Sequence, residues 1–258
     1  MHKSLILVSL LAFSAAISST VFAQDEKPDS ELKTIVEAAM QSEIRSDKES
    51  DRDRNRKPVS TLEFFGITPD MKVLELFPGG GWYTKLLGPL LKDKGQLYIA
   101  MGTSYAQKSV LNLAAMDKVS VLNVDVEFAS SETKGLRTVG PIKFSENSFD
   151  ATLTFRNMHN FDSAGRNNVN QAVFDALKPG GIYGVVDHTL RHMEPFSAEN
   201  RRRADPVAII KELLDIGFKF EAYSNLHYRP DDELRYEVGR KSVTGNTDRF
   251  TFLFRKPK

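Results

Sequence analysis

The feature that most constrains this chain is the run Val73-Leu74-Glu75-Leu76-Phe77-Pro78-Gly79-Gly80-Gly81-Trp82-Tyr83-Thr84. A short apolar segment carrying one acid reads as a buried strand, and a proline with consecutive glycines turns it into a helix start. Glycine takes torsions that other residues resist and lets main-chain amides approach a ligand. The helix start offers free N–H groups and a positive dipole end, which suit a carboxylate or a phosphate. In an open α/β sheet, ligands sit at this edge, where the strand order reverses. A plain glycine-rich turn would look the same locally, so the rest of the chain decides.

The rest alternates strand and helix signals. The first strand, Lys72 to Phe77, is followed by a helix from about Gly81 to Leu91. Gln96 to Met101 is a second strand, followed by a helix from about Ser104 to Met116. Lys118 to Val124 is a third strand, and Ser130 to Ser148 reads as a polar loop. Phe149 to Phe155 and Ile182 to Val186 are the fourth and fifth strands, flanking a helix from Arg166 to Leu177 and the turn Lys178-Pro179-Gly180-Gly181. Pro206 to Ile216 is a helix, Phe218 to Tyr223 the sixth strand and Arg249 to Phe254 the last. Strand–helix alternation implies parallel pairing with right-handed crossovers. The polar stretch Asn225 to Asp248 holds no helix, so the last two strands should pair antiparallel. The expected fold is therefore α/β: a Rossmann-like, seven-stranded, mostly parallel sheet with an antiparallel last strand and helices on both faces.

The N-terminus reads differently. Lys3, the apolar stretch Leu5 to Phe13 and the ending Val21-Phe22-Ala23 form the layout of a secretory signal peptide cleaved after Ala23. The expected organisation is a leader over 1–23, a helical and charged segment over 24–58, and an α/β domain over 59–258. Export would place the mature protein outside the cytoplasm, in the periplasm, without stable membrane insertion after cleavage. With 35 basic and 34 acidic side chains, the chain lacks the broad positive footprint of a nucleic-acid or anionic-membrane binder, so no nucleic-acid partner is expected. It has no cysteine, which excludes disulfides and thiolate metal sites. Ser46 to Lys57 alternates acids and bases and, by charge alone, reads as a solvated helix face or loop.

The glycine run resembles motif I of the class I S-adenosylmethionine-dependent methyltransferases, an acidic residue followed by Gly-x-Gly-x-Gly. The stretch from Phe149 to Asn160 is similar to that family's fourth-strand motif, Leu177 to Tyr183 to its turn before the fifth strand, and Leu213 to Phe218 to its helix-to-sixth-strand turn. The motifs occur in the family's order from about Val59 to Arg255. The proline of motif I, the Arg156-Asn157-Met158-His159-Asn160 stretch and Thr247 to Phe250 suggest an exported branch. The resemblance implies S-adenosylmethionine as cofactor, with Gly79, Gly80 and Gly81 against its methionine portion. It implies that Glu75 orients the glycine loop or the cofactor's amino group, that Asp125 meets the adenine amine, and that Asn157 and Met158 line the floor. Two positions depart from the pattern. Phe77 stands where the family has its first glycine, and Met101 stands where an acid normally accepts both ribose hydroxyls.

Methyl transfer needs in-line placement and exclusion of water, and a base only where the acceptor must lose a proton. Candidate catalytic residues at strand ends are His159, Asp187 and His188; each reads equally as a hydrogen-bonded loop residue. Adjacent strand residues diverge, so Asp187 and His188 should not form a direct dyad. His192 is a weaker candidate, and a metal held by these groups lacks a ligand-spacing signature, so none is expected. Arg201-Arg202-Arg203 reads as a solvated helix start or, more sharply, as a clamp for an acidic substrate. Trp82 and Tyr83 either line the pocket or pack. Two other functions compete: a non-catalytic or repurposed ligand-binding domain on the same fold, and a dinucleotide-dependent oxidoreductase. The second is disfavoured because no third glycine completes Gly-x-Gly-x-x-Gly.

Overall fold

A computed structural model describes residues 30–258. The expected leader and its cleavage after Ala23 lie outside the described residues. Among the described residues nine strands form: β1 (Lys72–Leu76), β2 (Gln96–Ala100), β3 (Ser120–Leu122), β4 (Phe128–Ser130), β5 (Arg137–Val139), β6 (Phe149–Phe155), β7 (Leu177–His188), β8 (Lys219–Tyr223) and β9 (Arg249–Arg255). The helices are α1 (Glu31–Met40), α2 (Asp47–Ser50), α3 (Asp53–Arg56), α4 (Pro58–Phe64), α5 (Thr84–Leu91), α6 (Ser104–Ser109), α7 (Ser163–Ala176) and α8 (Pro206–Ile216).

Seven strands make one sheet in the order β3-β2-β1-β6-β7-β9-β8. The pairs β1–β2, β2–β3, β1–β6 and β6–β7 are parallel. The closing strand β9 runs antiparallel to both β7 and β8, as the missing crossover helix requires. Strand order reverses between β1 and β6, which fixes where a crevice opens at the carboxyl edge.

Alternation along the strands divides the core into two layers. Leu74 and Leu76 of β1 face a cluster with Val169 and Val173 of α7 and Ile209 and Leu213 of α8. Val73 faces the other way, into a cluster with Val36 of α1, Leu62 of α4 and Leu86, Leu87 and Leu90 of α5. Local chemistry sets the helix ends. Asp205 caps α8, its Oδ1 accepting from the Val207 amide at 2.9 Å, and Pro206 fills the first turn. Gly217 closes α8 with φ of 117°, a torsion that favours glycine.

Four expectations are corrected. The helix expected over Ser104 to Met116 stops at Ser109, because Val110 leaves helical torsions (φ −128°) and lies against Gly81; a single 3₁₀ turn follows at Ala114–Met116. The third strand keeps only Ser120–Leu122, since pairing with β2 on one side alone ends there. The polar loop after Ser130 is not structureless: β5 pairs antiparallel with β4, and Asn168 of α7 donates to the Val139 carbonyl at 2.7 Å. The turn at Lys178 to Gly181 is absorbed into β7 as a bulged start, where the β6 register shifts between Phe149 and Ala151.

Candidate functional site

The carboxyl ends of three neighbouring parallel strands share an unusual backbone. Phe77 after β1, Met101 after β2 and Arg156 after β6 all take left-handed torsions, with φ of 52°, 62° and 64°. Each costs an L residue about 1–2 kcal/mol, and such strain collects at ligand sites. At Phe77 the torsion is the one that a glycine would adopt freely. The ring compensates by packing on Phe161, with centroids 5.1 Å apart.

The glycine run serves two different purposes. A Cβ on Gly79 would meet nothing within 4 Å, and Gly79 and Gly80 line a cavity of about 220 Å³. A Cβ on Gly81 would lie 2.4 Å from Val110 Cγ2. Gly81 therefore lets the loop pack under α6 and does not line that cavity. Glu75, Phe77 and Asn157 share the cavity wall, as do Trp82, Tyr83 and Phe155. Met158 is buried beside them in the core, and Met101 is packed into the same apolar cluster. Asp125 is exposed; neither it nor Met101 lines this cavity.

Glu75 is 2 % exposed, and its Oε2 accepts a 2.6 Å hydrogen bond from Thr84 Oγ1 at the first residue of α5. Burial pushes its carboxyl up to about 7, against the lowering effect of Thr84 and of the Arg56 charge. It has no ion-pair partner among the described residues. A cation placed in the cavity would relieve that burial penalty.

Most of the charged run is exposed, as expected, but Arg56 is buried and Glu49, Asp53 and Asn55 are half-buried. α2 and α3 fold over the start of α5 and roof the cavity. Trp82 Nε1 donates to the Glu49 carbonyl at 2.9 Å, and Lys85 Nζ pairs with both Glu49 oxygens at 2.9 and 2.8 Å. Arg45 grips Asp53 with both terminal nitrogens. Arg56, 6 % exposed, lies 4.2 Å over the Trp82 ring and 5.6 Å over Tyr83, which stacks on Phe155 at 3.5 Å. The expectation misses the inward residues because the run has no apolar residue of its own, and their partners lie some thirty residues away on an aromatic helix start. Trp82 and Tyr83 thus both pack and line the cavity.

A second cavity, of about 380 Å³, shares the walls Arg52, Arg56 and Arg156 with the first and adds His188, Arg202, Thr247 and Arg249. Its far side is Val238 to Gly245, so the polar stretch before β9 closes over the site. His227 holds that stretch down: Nδ1 lies 2.7 Å from Thr251 Oγ1 and Nε2 3.0 Å from the Arg56 carbonyl. Burial pushes this imidazole down to about 4, so it is neutral. A third cavity, of about 280 Å³, is lined by His159 and Asn160 and shares Arg202 with the second.

His159, Asp187 and His188 come together, in a pairing their order in the chain does not suggest. His159 Nδ1 donates to Asp187 Oδ1 at 2.5 Å, and the His159 amide donates to Asp187 Oδ2 at 3.1 Å. The dyad therefore joins the end of β7 to the turn after β6. The His188 side chain turns away from Asp187, as alternation predicts, although its amide donates to Asp187 Oδ1 at 2.7 Å. Its Nδ1 lies 3.0 Å from Thr247 Oγ1, and its ring is 6.0 Å from that of His159. Burial, reinforced by Arg249, holds His188 well below the usual histidine range, so it is neutral. Nδ1 is bound to Asp187, and Nε2 of His159 has no hydrogen-bond partner among the described residues.

Two expectations at the edge of the site are also corrected. Arg203 is neither solvated nor a clamp: its guanidinium is fully buried against Asp232, with both nitrogens at 2.9 Å, and its Nε donates to the Tyr236 carbonyl at 2.7 Å. Arg202 reaches Glu237, while Arg201 is largely exposed. His192 pairs with the capping residue Asp205 at 2.9 Å, away from the cavities.

No model of a known protein family matches the chain. It is 33 % identical over 130 residues to the ubiquinone/menaquinone biosynthesis C-methyltransferase UbiE of Shewanella sediminis, a match covering 49 % of this chain and 46 % of that protein. The chain thus spans about half the length of this curated relative. Among solved structures, a SAM-dependent methyltransferase from Aquifex aeolicus superposes with a TM-score of 0.56 at 16 % identity, over 88 % of this chain and 100 % of the other. The [4+2]-cyclase SpnF gives 0.56 at 14 % identity, over 88 % and 93 %. The glycopeptide N-methyltransferase MtfA, complexed with sinefungin, gives 0.51 at 14 % identity, over 80 % and 94 %. The fold is therefore the Rossmann-like methyltransferase fold, a seven-stranded sheet with its last strand reversed.

Proposed function

We propose that this chain is an exported S-adenosylmethionine-dependent methyltransferase acting on a small-molecule acceptor. The observation that carries the reading is Glu75, a buried carboxyl without a cationic partner, set in the wall of the cavity that Gly79 and Gly80 open. The methionine end of the cofactor carries an ammonium and a carboxylate. Glu75 fits the first; the glycine-loop amides with Arg52 and Arg56 fit the second. The ribose end fits less well. Met101 offers no acceptor for its hydroxyls, which removes roughly 1.5–3 kcal/mol of binding.

The cofactor supplies an electrophilic methyl group when bound. The chain's own part is to orient, to exclude water and to take a proton. The roof of α2 and α3 and the stretch from Val238 to Gly245 wall the cavities, which stay partly open to solvent. His159 Nε2 accepts the acceptor's proton where one must leave, with Asp187 holding the ring and stabilising the imidazolium. Export rests on the leader-like sequence at residues 1–23, and cell fractionation tests it: the mature form should appear in the periplasmic fraction. Among the described residues, no helix is long and apolar enough to cross a membrane.

A second reading, a ligand-binding protein on this fold without methyl transfer, draws on Met101, on Phe77, and on a cyclase sharing the fold. Calorimetry separates the two. Wild type should bind S-adenosylhomocysteine, and Gly79→Leu, whose side chain would project into open cavity, should abolish the heat. No heat from wild type at millimolar ligand gives the field to the second reading. Gly81→Arg would be a poor control, since it would disrupt the packing on Val110.

A further inference from the structure

The second cavity, of about 380 Å³, concentrates positive charge in a chain that is otherwise balanced. Arg52, Arg54, Arg56, Arg156, Arg202 and Arg249 line it, against a single carboxylate, Asp51. Glu237 neutralises Arg202. Among the described residues, none of the other five arginines has a carboxylate within ion-pair distance. Three are buried or nearly so, and the Nε atoms of Arg56, Arg156 and Arg249 are out of contact with water and without a hydrogen-bond partner. Arg249 is 9 % exposed, and its Nη1 donates to the Asn55 carbonyl at 2.9 Å. A protein pays heavily to bury unpaired like charges together unless something else neutralises them.

We propose that this cavity is the acceptor site and that the acceptor carries at least two anionic groups, phosphate or carboxylate. The assignment of the acceptor's role rests on the methyltransferase reading above. The volume of about 380 Å³ suits a small molecule, and the walls shared with the glycine cavity set it beside the donor. The cofactor's own carboxylate does not account for the cluster, because Arg54, Arg202 and Arg249 lie on this cavity and not on the glycine cavity. The cations also disfavour one another. Burial, and then the Arg156 charge, push Arg56 down to about 8 and Arg249 down to about 10. Arginine forks match phosphate and carboxylate oxygens two at a time, so anions should bind here with directional contacts. Neutral His188 and the third cavity with His159 border the same space, which places proton acceptors next to a ligand that the arginines hold.

The test uses the full mature chain, with inorganic pyrophosphate and citrate as probes against sodium chloride at matched ionic strength. Thermal unfolding and calorimetry should show that at least one probe raises the unfolding midpoint by several degrees beyond chloride. Arg249→Gln and the exposed Arg54→Gln should each weaken that probe by about tenfold or more. Because Arg54 is exposed, its variant should fold even if the Arg249 variant does not. Pyrophosphate alone identifies a phosphate site, citrate alone a carboxylate site, and either supports the proposal. Midpoints that track chloride alone, or a probe response unchanged in the Arg54 variant and in whichever Arg249 protein folds, overturn it. S-adenosylhomocysteine is titrated into the same samples. If it binds and neither anion does, the anionic-acceptor proposal falls while the cofactor reading stands. If an anion binds and the nucleoside does not, the cofactor reading falls and takes the acceptor role with it.

Discussion

Two sets of buried arginines lie close together in this molecule and differ in what they lack. Arg203 is saturated: Asp232 takes both its terminal nitrogens, carbonyls of Thr189 and Tyr236 take the rest, and Asp232 in turn accepts from the Asp248 amide at 2.7 Å. Arg56 and Arg249 are also buried and Arg156 is half-buried, yet all three keep unpartnered Nε atoms and form no ion pair with a carboxylate among the described residues. The first set ties the stretch before β9 to the turn after β7. The second set borders empty space. A buried charge that is fully paired reports on the fold; one left unpaired beside a cavity reports on a ligand.

The contrast is broken most forcefully at the saturated pair. Arg203→Met leaves Asp232 buried without its cation and should lower stability by about 3–5 kcal/mol in urea unfolding. Adding Asp232→Leu should recover only part of that loss, because it also orphans the Leu234 and Asp248 amides. A loss under 1 kcal/mol for the single variant would place Arg203 among the dispensable charges.

Next comes the unpaired carboxyl. Glu75 has its folded value raised to about 7 from an ordinary 4.5. The folded state then binds more protons than the unfolded state between those values, so stability falls as pH rises through that window and stays lower above it. Glu75→Gln should therefore stabilise the protein at pH 8 by up to about 3 kcal/mol and hardly at all at pH 4.5. Equal stabilisation at both pH values would mean that the carboxyl titrates normally. For the same reason, binding of a cation to Glu75 should release protons near neutral pH, which calorimetry in two buffers of different ionisation enthalpy measures.

The glycine loop gives a third, smaller comparison. Gly81→Ala forces a methyl group into Val110 and should cost about 1–3 kcal/mol, beyond the strain of its left-handed φ. Gly79→Ala meets open space and should cost only that strain, about 1 kcal/mol. Similar losses at the two positions would contradict the division between packing and ligand space. Smallest of all should be Arg156→Met. It removes a half-buried cation with no ion-paired carboxylate among the described residues, so stability should hold within about 1 kcal/mol or rise. A loss near that of Arg203→Met would show a partner for Arg156.

Much of this architecture was legible in the sequence, for identifiable reasons. Strand and helix order follows from local periodicity, and the antiparallel closure follows from the absence of a helix between Tyr223 and Arg249. The glycine cavity follows from one contiguous motif. His159, Asp187 and His188 were each visible at strand ends, but their pairing needed the register Phe155↔Val186, which sets the end of β6 against that of β7. The roof was illegible, because a run without apolar residues carries no burial signal and Arg56 is buried by Trp82 and Tyr83 from another element. The difference between Arg203 and Arg56 was equally hidden, since it depends on whether an acid arrives from a distant loop.

The most direct test of the account is a crystal structure of the mature chain grown with sinefungin. The ligand's amino-acid end should lie at Gly79 and Gly80, with its ammonium at Glu75 and its carboxylate under Arg56, leaving Arg249 free to hold an anion in the neighbouring cavity. A glycine cavity still empty at saturating ligand, or sinefungin bound only on another face of the sheet, would contradict it.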